Sequence, residues 1–123
     1  MAVIRDMMPM FELFQPASVN DALALLDRHG SEAWVMAGGL DSFDWLKDRT
    51  KRPSVVVDLS QVAELRGIKE ANGGLEIGAT TPLTEVVKHP VVQEKFRILA
   101  EAAEVVASPQ IRNQASLGGN ISQ

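Results

Sequence analysis

No cysteine occurs among the 123 residues. Disulfides, cysteine-held zinc, iron–sulfur clusters and thiol nucleophiles are therefore excluded from this chain. Tyrosine is also absent and aromatics make up 5%, so the core has to be built from Val, Leu, Ile, Ala and Met. An excess of positive charge is missing too: 12 Lys and Arg face 16 Asp and Glu, a net charge of −4. That balance argues against nucleic-acid binding, which needs a basic face for the phosphate backbone. No run approaches the roughly 20 apolar residues of a membrane helix. The apolar start is interrupted by Arg5 and Asp6, which a signal peptide would not tolerate. The expectation is a cytoplasmic protein with no membrane partner. His29 and His89 stand far apart without acidic partners at ligand spacing, so both are expected at the surface near helix ends and no metal site is expected. No GxSxG, HExxH or paired-carboxylate pattern occurs, and no catalytic residue is assigned.

Length alone points to one domain. Apolar spacing and a Ser18 cap predict a helix over 18–29, stopped by Gly30. A buried strand follows over 33–37. A helix over 41–49 comes next, capped by Asp41 or Ser42, and then a buried strand over 54–59. The alternation implies a small parallel sheet. After Ser60, Asn72-Gly73-Gly74 between residues 67–71 and 75–79 predicts an antiparallel hairpin. Thr81 as cap and Pro82 at the first helical position predict a short helix over 82–88. One longer helix is expected over 91–106, with Val92, Phe96, Leu99, Ala103 and Val106 on one face. The remainder reads as a loop into a second double glycine, with no final helix or strand. The fold class is α+β: a parallel α/β subdomain over 1–58, then an antiparallel strand and helix subdomain over 59–123, incomplete at its C-terminus. The chain reads as the N-terminal portion of a longer protein.

Two loops carry the chemistry. Gly38-Gly39 sits between a strand and a helix start, where backbone N–H groups and the helix dipole attract anions and no Cβ obstructs a phosphate. The pattern is neither GxGxxG nor GxxxxGK[ST], and a tight turn is the alternative. Ser116-Leu117-Gly118-Gly119-Asn120 repeats the device with a hydroxyl and an amide alongside. Together the loops suit the two sides of one pyrophosphate; two independent turns are the alternative. Trp34 and Trp45 read as packing residues. Lys47, Arg49, Lys51 and Arg52 read as a solvated helix end, and Met7, Met8 and Met10 as a ragged terminus.

Met36-Ala37-Gly38-Gly39-Leu40-Asp41-Ser42 resembles the AGGTDLL-type motif of the FAD-binding subunits of molybdenum hydroxylases. Gln110-Ile111-Arg112-Asn113-Gln114-Ala115-Ser116-Leu117-Gly118-Gly119-Asn120-Ile121 resembles their second motif, QxRN-xA-[ST]-x-GGN. That family includes xanthine dehydrogenase, carbon monoxide dehydrogenase and aldehyde oxidoreductases, and the likeness runs from about Phe11 onward. It implies an FAD domain of the vanillyl-alcohol-oxidase (PCMH) type. The first loop, Met36 to Ser42, would meet the pyrophosphate through the backbone from Ala37 on. Ser116, Leu117, Gly118, Gly119 and Asn120 would serve the phosphate and ribitol region, and Val106 would pack near the flavin. The resemblance also implies two partner subunits, one with the molybdenum cofactor and one with iron–sulfur centres, and a role relaying electrons to an external acceptor. Leu40 departs from the usual Thr, and Ser42-Phe43 from Leu-Leu; backbone contacts survive such changes. The competing reading is a small α/β interaction or assembly module that keeps the fold without flavin.

Overall fold

The computed structural model describes residues 7–123; the expected Arg5–Asp6 interruption lies outside them. The chain forms two compact units, Met1–Val62 and Ala63–Gln123.

The first unit holds β1 (Glu12–Phe14), α1 (Val19–His29), β2 (Ala33–Met36), α2 (Leu40–Lys47) and β3 (Val55–Asp58). The strands form a parallel sheet in the order β1-β3-β2, with Phe14 opposite Val57 and Met36 opposite Asp58. The chain crosses from β1 over β3 to β2 through α1, then returns to β3 through α2. Right-handed crossovers in opposite directions put the two helices on opposite faces. β3 is accordingly buried along its whole length, and Val55, Val56 and Val57 join Ala22, Met36, Leu46 and Val62 in the core. β2 departs from the expected buried strand: it is an edge strand, and Val35 is 42% exposed. β1 has no counterpart in the sequence reading, because three residues beginning with Glu12 offer neither alternation nor an apolar run.

Helix α1 forms as its signals require. Ser18 Oγ accepts from the Asp21 N–H at 3.1 Å, and Gly30 closes the helix at φ +53°. The start of α2 corrects the expectation. Neither Asp41 nor Ser42 caps it; Gly39 does, at φ +82°. Ser42 is instead inside the helix, where its Oγ accepts from Trp34 Nε1 at 3.0 Å. Trp34 and Trp45 pack edge to face with centroids 5.8 Å apart, and Lys51 Nζ rests 5.5 Å from the Trp34 ring. The basic cluster is thus partly built in: Arg49 donates to the carbonyls of Lys47 and Met7 beyond the helix end. His29 is not simply a surface group. Its ring packs on Phe14 at 5.4 Å, and Nε2 is buried without a hydrogen-bond partner. The same holds for Nδ1 of His89.

The second unit begins with a turn of 3-10 helix at Ala63–Leu65 and the hairpin β4 (Ile68–Ala71) and β5 (Gly74–Ile77). Asn72 and Gly73 take φ of +53° and +76°, as a two-residue hairpin turn demands. Five helices follow: α3 (Leu83–Lys88), α4 (Pro90–Lys95), α5 (Arg97–Glu104), α6 (Pro109–Gln114) and α7 (Leu117–Ser122). Three expectations fail here. Thr81 does not cap α3; its hydroxyl faces the Gly67 backbone, accepting from N–H at 3.0 Å, and Pro82 takes the cap position. The long helix is two helices, parted at Phe96 (φ −131°, ψ 47°). Val92 of α4 and Ala100 and Ala103 of α5 all reach one core with Val86, against Ile68, Leu75 and Ile77 of the hairpin. The terminal loop is two helices, started by Ser108 and Ser116, whose hydroxyls accept from Ile111 N–H and Gly119 N–H. Glycines at the start of α7 hid it, since their helix propensity is poor.

The α5–α6 turn stores strain. Ala107 is left-handed at φ +47°, and Arg112 Nη1 donates to the Val106 carbonyl at 2.7 Å across it. Ala107→Gly is expected to stabilise the chain by about 0.5 kcal/mol, since relief of the Cβ penalty exceeds the added chain entropy. A higher urea midpoint with an unchanged slope is the check.

Candidate functional site

The carboxyl end of a parallel sheet is where α/β folds place ligands. In the first unit that end carries Gln15 after β1, Met36-Ala37-Gly38-Gly39 after β2, and Asp58 at the end of β3. Gly39 is buried and turns directly into α2, its carbonyl accepting from Phe43 N–H at 2.8 Å. The first-turn N–H groups of a helix have no carbonyl partner within it. A glycine cap brings no side chain to occupy them. The eight-residue α2 thus starts without a capping side chain, the geometry in which helix starts attract anions. A Cβ on Gly39 would come within 2.9 Å of the Phe43 ring edge. Asp41 places an exposed carboxylate in the same turn, so a phosphate approaches the amide side of the helix rather than this side chain. Leu40 is 37% exposed and Ser42 is held by Trp34. The segment from Met36 to Ser42 is thus contiguous across the end of β2 and the glycine-capped start of α2.

The second loop is built differently. Leu117 N–H donates to the Thr81 carbonyl at 3.0 Å and Gly118 N–H to the Ala79 carbonyl at 2.8 Å. Gly119 N–H donates to Ser116 Oγ at 3.1 Å and Asn120 N–H to the Ser116 carbonyl at 3.0 Å. All four amides are engaged within the chain. Gly118 is required by packing, since a Cβ there would stand 2.7 Å from the Ala79 carbonyl oxygen. Ser116 is buried, while Asn120 is exposed and carries the free carboxamide edge of this loop. Val106 is half-buried just after α5, at the turn held by Arg112.

The sequence reading passed over Asp58. Its carboxylate is 8% exposed and accepts from Gln15 Nε2 at 2.9 Å, Ser60 N–H at 2.9 Å and Ser60 Oγ at 3.0 Å. An Asp ending a Val-Val-Val strand, with Ser two residues on, was the available signal: that pair closes a local side-chain turn. Among the described residues, no cluster of His, Cys, Asp and Glu could hold a metal ion, and no helix is long and apolar enough to cross a membrane.

Residues 9–123 match the family model described as the FAD binding domain in molybdopterin dehydrogenase. The chain is 41% identical over 113 residues to the carbon monoxide dehydrogenase medium chain of Hydrogenophaga pseudoflava, covering 92% of this chain and 39% of that one. It is 40% identical over 106 residues to the xanthine dehydrogenase FAD-binding subunit of Escherichia coli O157:H7, covering 85% of this chain and 36% of that one. A solved structure of carbon monoxide dehydrogenase from Hydrogenophaga pseudoflava, lacking the Mo-pyranopterin moiety, superposes with a TM-score of 0.91 at 40% identity. It covers 94% of this chain and 40% of that one. The chain thus spans about two fifths of the length of these relatives.

Proposed function

We propose that this chain, which belongs to the family of FAD-binding domains of molybdopterin dehydrogenases, holds the pyrophosphate of FAD at Gly38-Gly39 and the first turn of α2. The observation that carries the reading is the buried Gly39 cap at φ +82°, which starts α2 with no capping side chain. FAD when bound takes up and releases the electrons, and the protein binds and orients it. Ala37 and Gly38 lead the backbone to the phosphates, and the amides from Gly39 to Ser42 face the charge. In the second unit, Ser116, Leu117, Gly118 and Gly119 shape the loop, and the Asn120 carboxamide is what it offers a ligand. Val106 would lie toward the rings.

These 123 residues hold no cysteine, so any iron–sulfur centre feeding this flavin would be ligated outside them. The wider reading is a flavin-dependent oxidoreductase subunit. It receives electrons from an iron–sulfur subunit, which a molybdenum-cofactor subunit supplies, and delivers them to an external acceptor in the cytoplasm. The engaged amides of α7 favour the other reading, a module that keeps the fold without flavin.

One titration separates the two. Anion contacts at a helix start contribute about 0.3–1 kcal/mol when exposed and up to about 2 when partly buried. These must offset several kcal/mol of lost translational and rotational freedom. The 123-residue chain is therefore expected to bind FAD with a dissociation constant weaker than about 10 μM. Amide shifts in nuclear magnetic resonance should concentrate on Gly38 to Ser42. Shifts absent from that segment at millimolar FAD would favour the flavin-free module. Sub-micromolar binding would show that these loops alone suffice.

A further inference from the structure

We propose that Asp58 is the positioning residue of the pyrophosphate loop: a buried carboxylate that fixes where β2 releases the chain toward Gly38 and Gly39. The proposal rests on the reading that this loop receives FAD.

Asp58 lies opposite Met36 in the parallel ladder, two residues before Gly38. Its three donors come from two directions. Gln15 Nε2 reaches it from the end of β1, and Ser60 donates through both N–H and Oγ from the turn that follows β3. Between Asp58 and Ser60, Leu59 N–H donates at 2.8 Å to the Met36 carbonyl, the last carbonyl of β2. The carboxylate therefore fixes the turn that holds the exit of β2, and through Gln15 it joins the exit of β1. The ends of β1 and β3 thus meet at this side chain, and the turn it fixes holds the end of β2.

An anionic carboxylate near an anion site gives the test a sign. By charge alone, Asp58→Asn would tighten binding of a pyrophosphate, because a repulsion is removed. As a positioning residue it does the opposite. An amide at 58 sets an NH2 group against the Gln15 or Ser60 donors, and the turn that carries Leu59 shifts.

The experiment titrates FAD into the 123-residue chain and its variants, following amide shifts. In Asp58→Asn the dissociation constant should rise about tenfold, and the Gly38 and Gly39 resonances should move before any FAD is added. Ala22→Gly is the control. It sits in the α1 core, 5% exposed, and lowers stability without touching the strand ends. Its dissociation constant should stay within about twofold of the parent. Unchanged or tighter binding in Asp58→Asn overturns the proposal, as does an equal weakening in Ala22→Gly. A parent chain with no FAD shifts over Gly38 to Ser42 overturns the reading beneath it, and the proposal with it. Should Asp58→Asn not fold, Gln15→Ala and Ser60→Ala decide. Each removes donors and is expected to weaken binding about threefold, and no weakening in either overturns the proposal.

Discussion

Gly78→Ala is expected to destabilise the second unit by about 3 kcal/mol or more, lowering its melting temperature by about 10 °C or more. The reason is backbone meeting backbone. A Cβ at position 78 would overlap the Leu65 carbonyl and stand 2.7 Å from Arg66 N. Neither can swing aside, because the Leu65 carbonyl also accepts from the N–H and the Oγ of Thr80, each at 2.9 Å. Gly78 N–H further donates to the Gly67 carbonyl at 2.8 Å. The substitution must part the 3-10 turn from the end of β5. Gly74→Ala, four residues earlier, provides the contrast. Its φ lies outside the left-handed region, and the nearest atom to an added Cβ is the Ala71 carbonyl oxygen at an ordinary 3.7 Å. It should change stability by no more than about 0.5 kcal/mol. Urea denaturation of both variants checks the pair, and equal stabilities would show that the 3-10 turn is free to yield.

Gly39→Val is expected to abolish the FAD response of the first loop while leaving the fold in place. At φ +82° any Cβ is strained, and a β-branched residue is an outlier. The added carbons press on the Phe43 ring, which is 38% exposed and able to turn outward. The strain therefore falls on the loop, at a cost of about 2 kcal/mol, rather than on β3. A displacement of about 1 Å in the amides facing a phosphate lowers affinity roughly a hundredfold. FAD-induced shifts over Gly38 to Ser42 should vanish, with circular dichroism unchanged. Gly39→Ala should fall between the two. A full FAD response in Gly39→Val would reduce Gly38-Gly39 to a turn.

The sequence was most readable where one residue decides a local geometry. Ser18 and Gly30 bound α1, and Asn72-Gly73 closes the hairpin, because caps and left-handed turns depend on neighbours a few positions away. Apolar runs located β2 and β3 to within a residue. They could not reveal which was central, since burial on both faces follows from strand order. The break at Phe96 was hidden for a similar reason: a continuous apolar period describes either one helix or two that share a core. At the candidate site the first loop was legible as strand, double glycine and helix start. The second was legible as a motif but not as geometry. Its amide partners, Ala79 and Thr81, lie far away in the chain. Asp58 was missed because its partner Gln15 follows a strand too short to announce itself.

That long-range pairing governs when the second unit becomes solid. Thr81, Pro82 and Leu83 are stitched to Ala115, Ser116 and Leu117 through Leu83 N–H to the Ala115 carbonyl at 2.9 Å and Leu117 N–H to the Thr81 carbonyl at 3.0 Å. Everything from α3 to α6 is a loop closed by this seam. Loop closure has an entropic cost before its contacts form. During synthesis the hairpin and α3 are available early, yet the seam stays open until Leu117 and Gly118 have left the ribosome. The second unit is therefore a late-setting structure, and the tight fit of Gly118 against Ala79 is the latch that closes it. The most protected amides in hydrogen exchange should include Leu83, Leu117 and Gly118, opening together as one cooperative event.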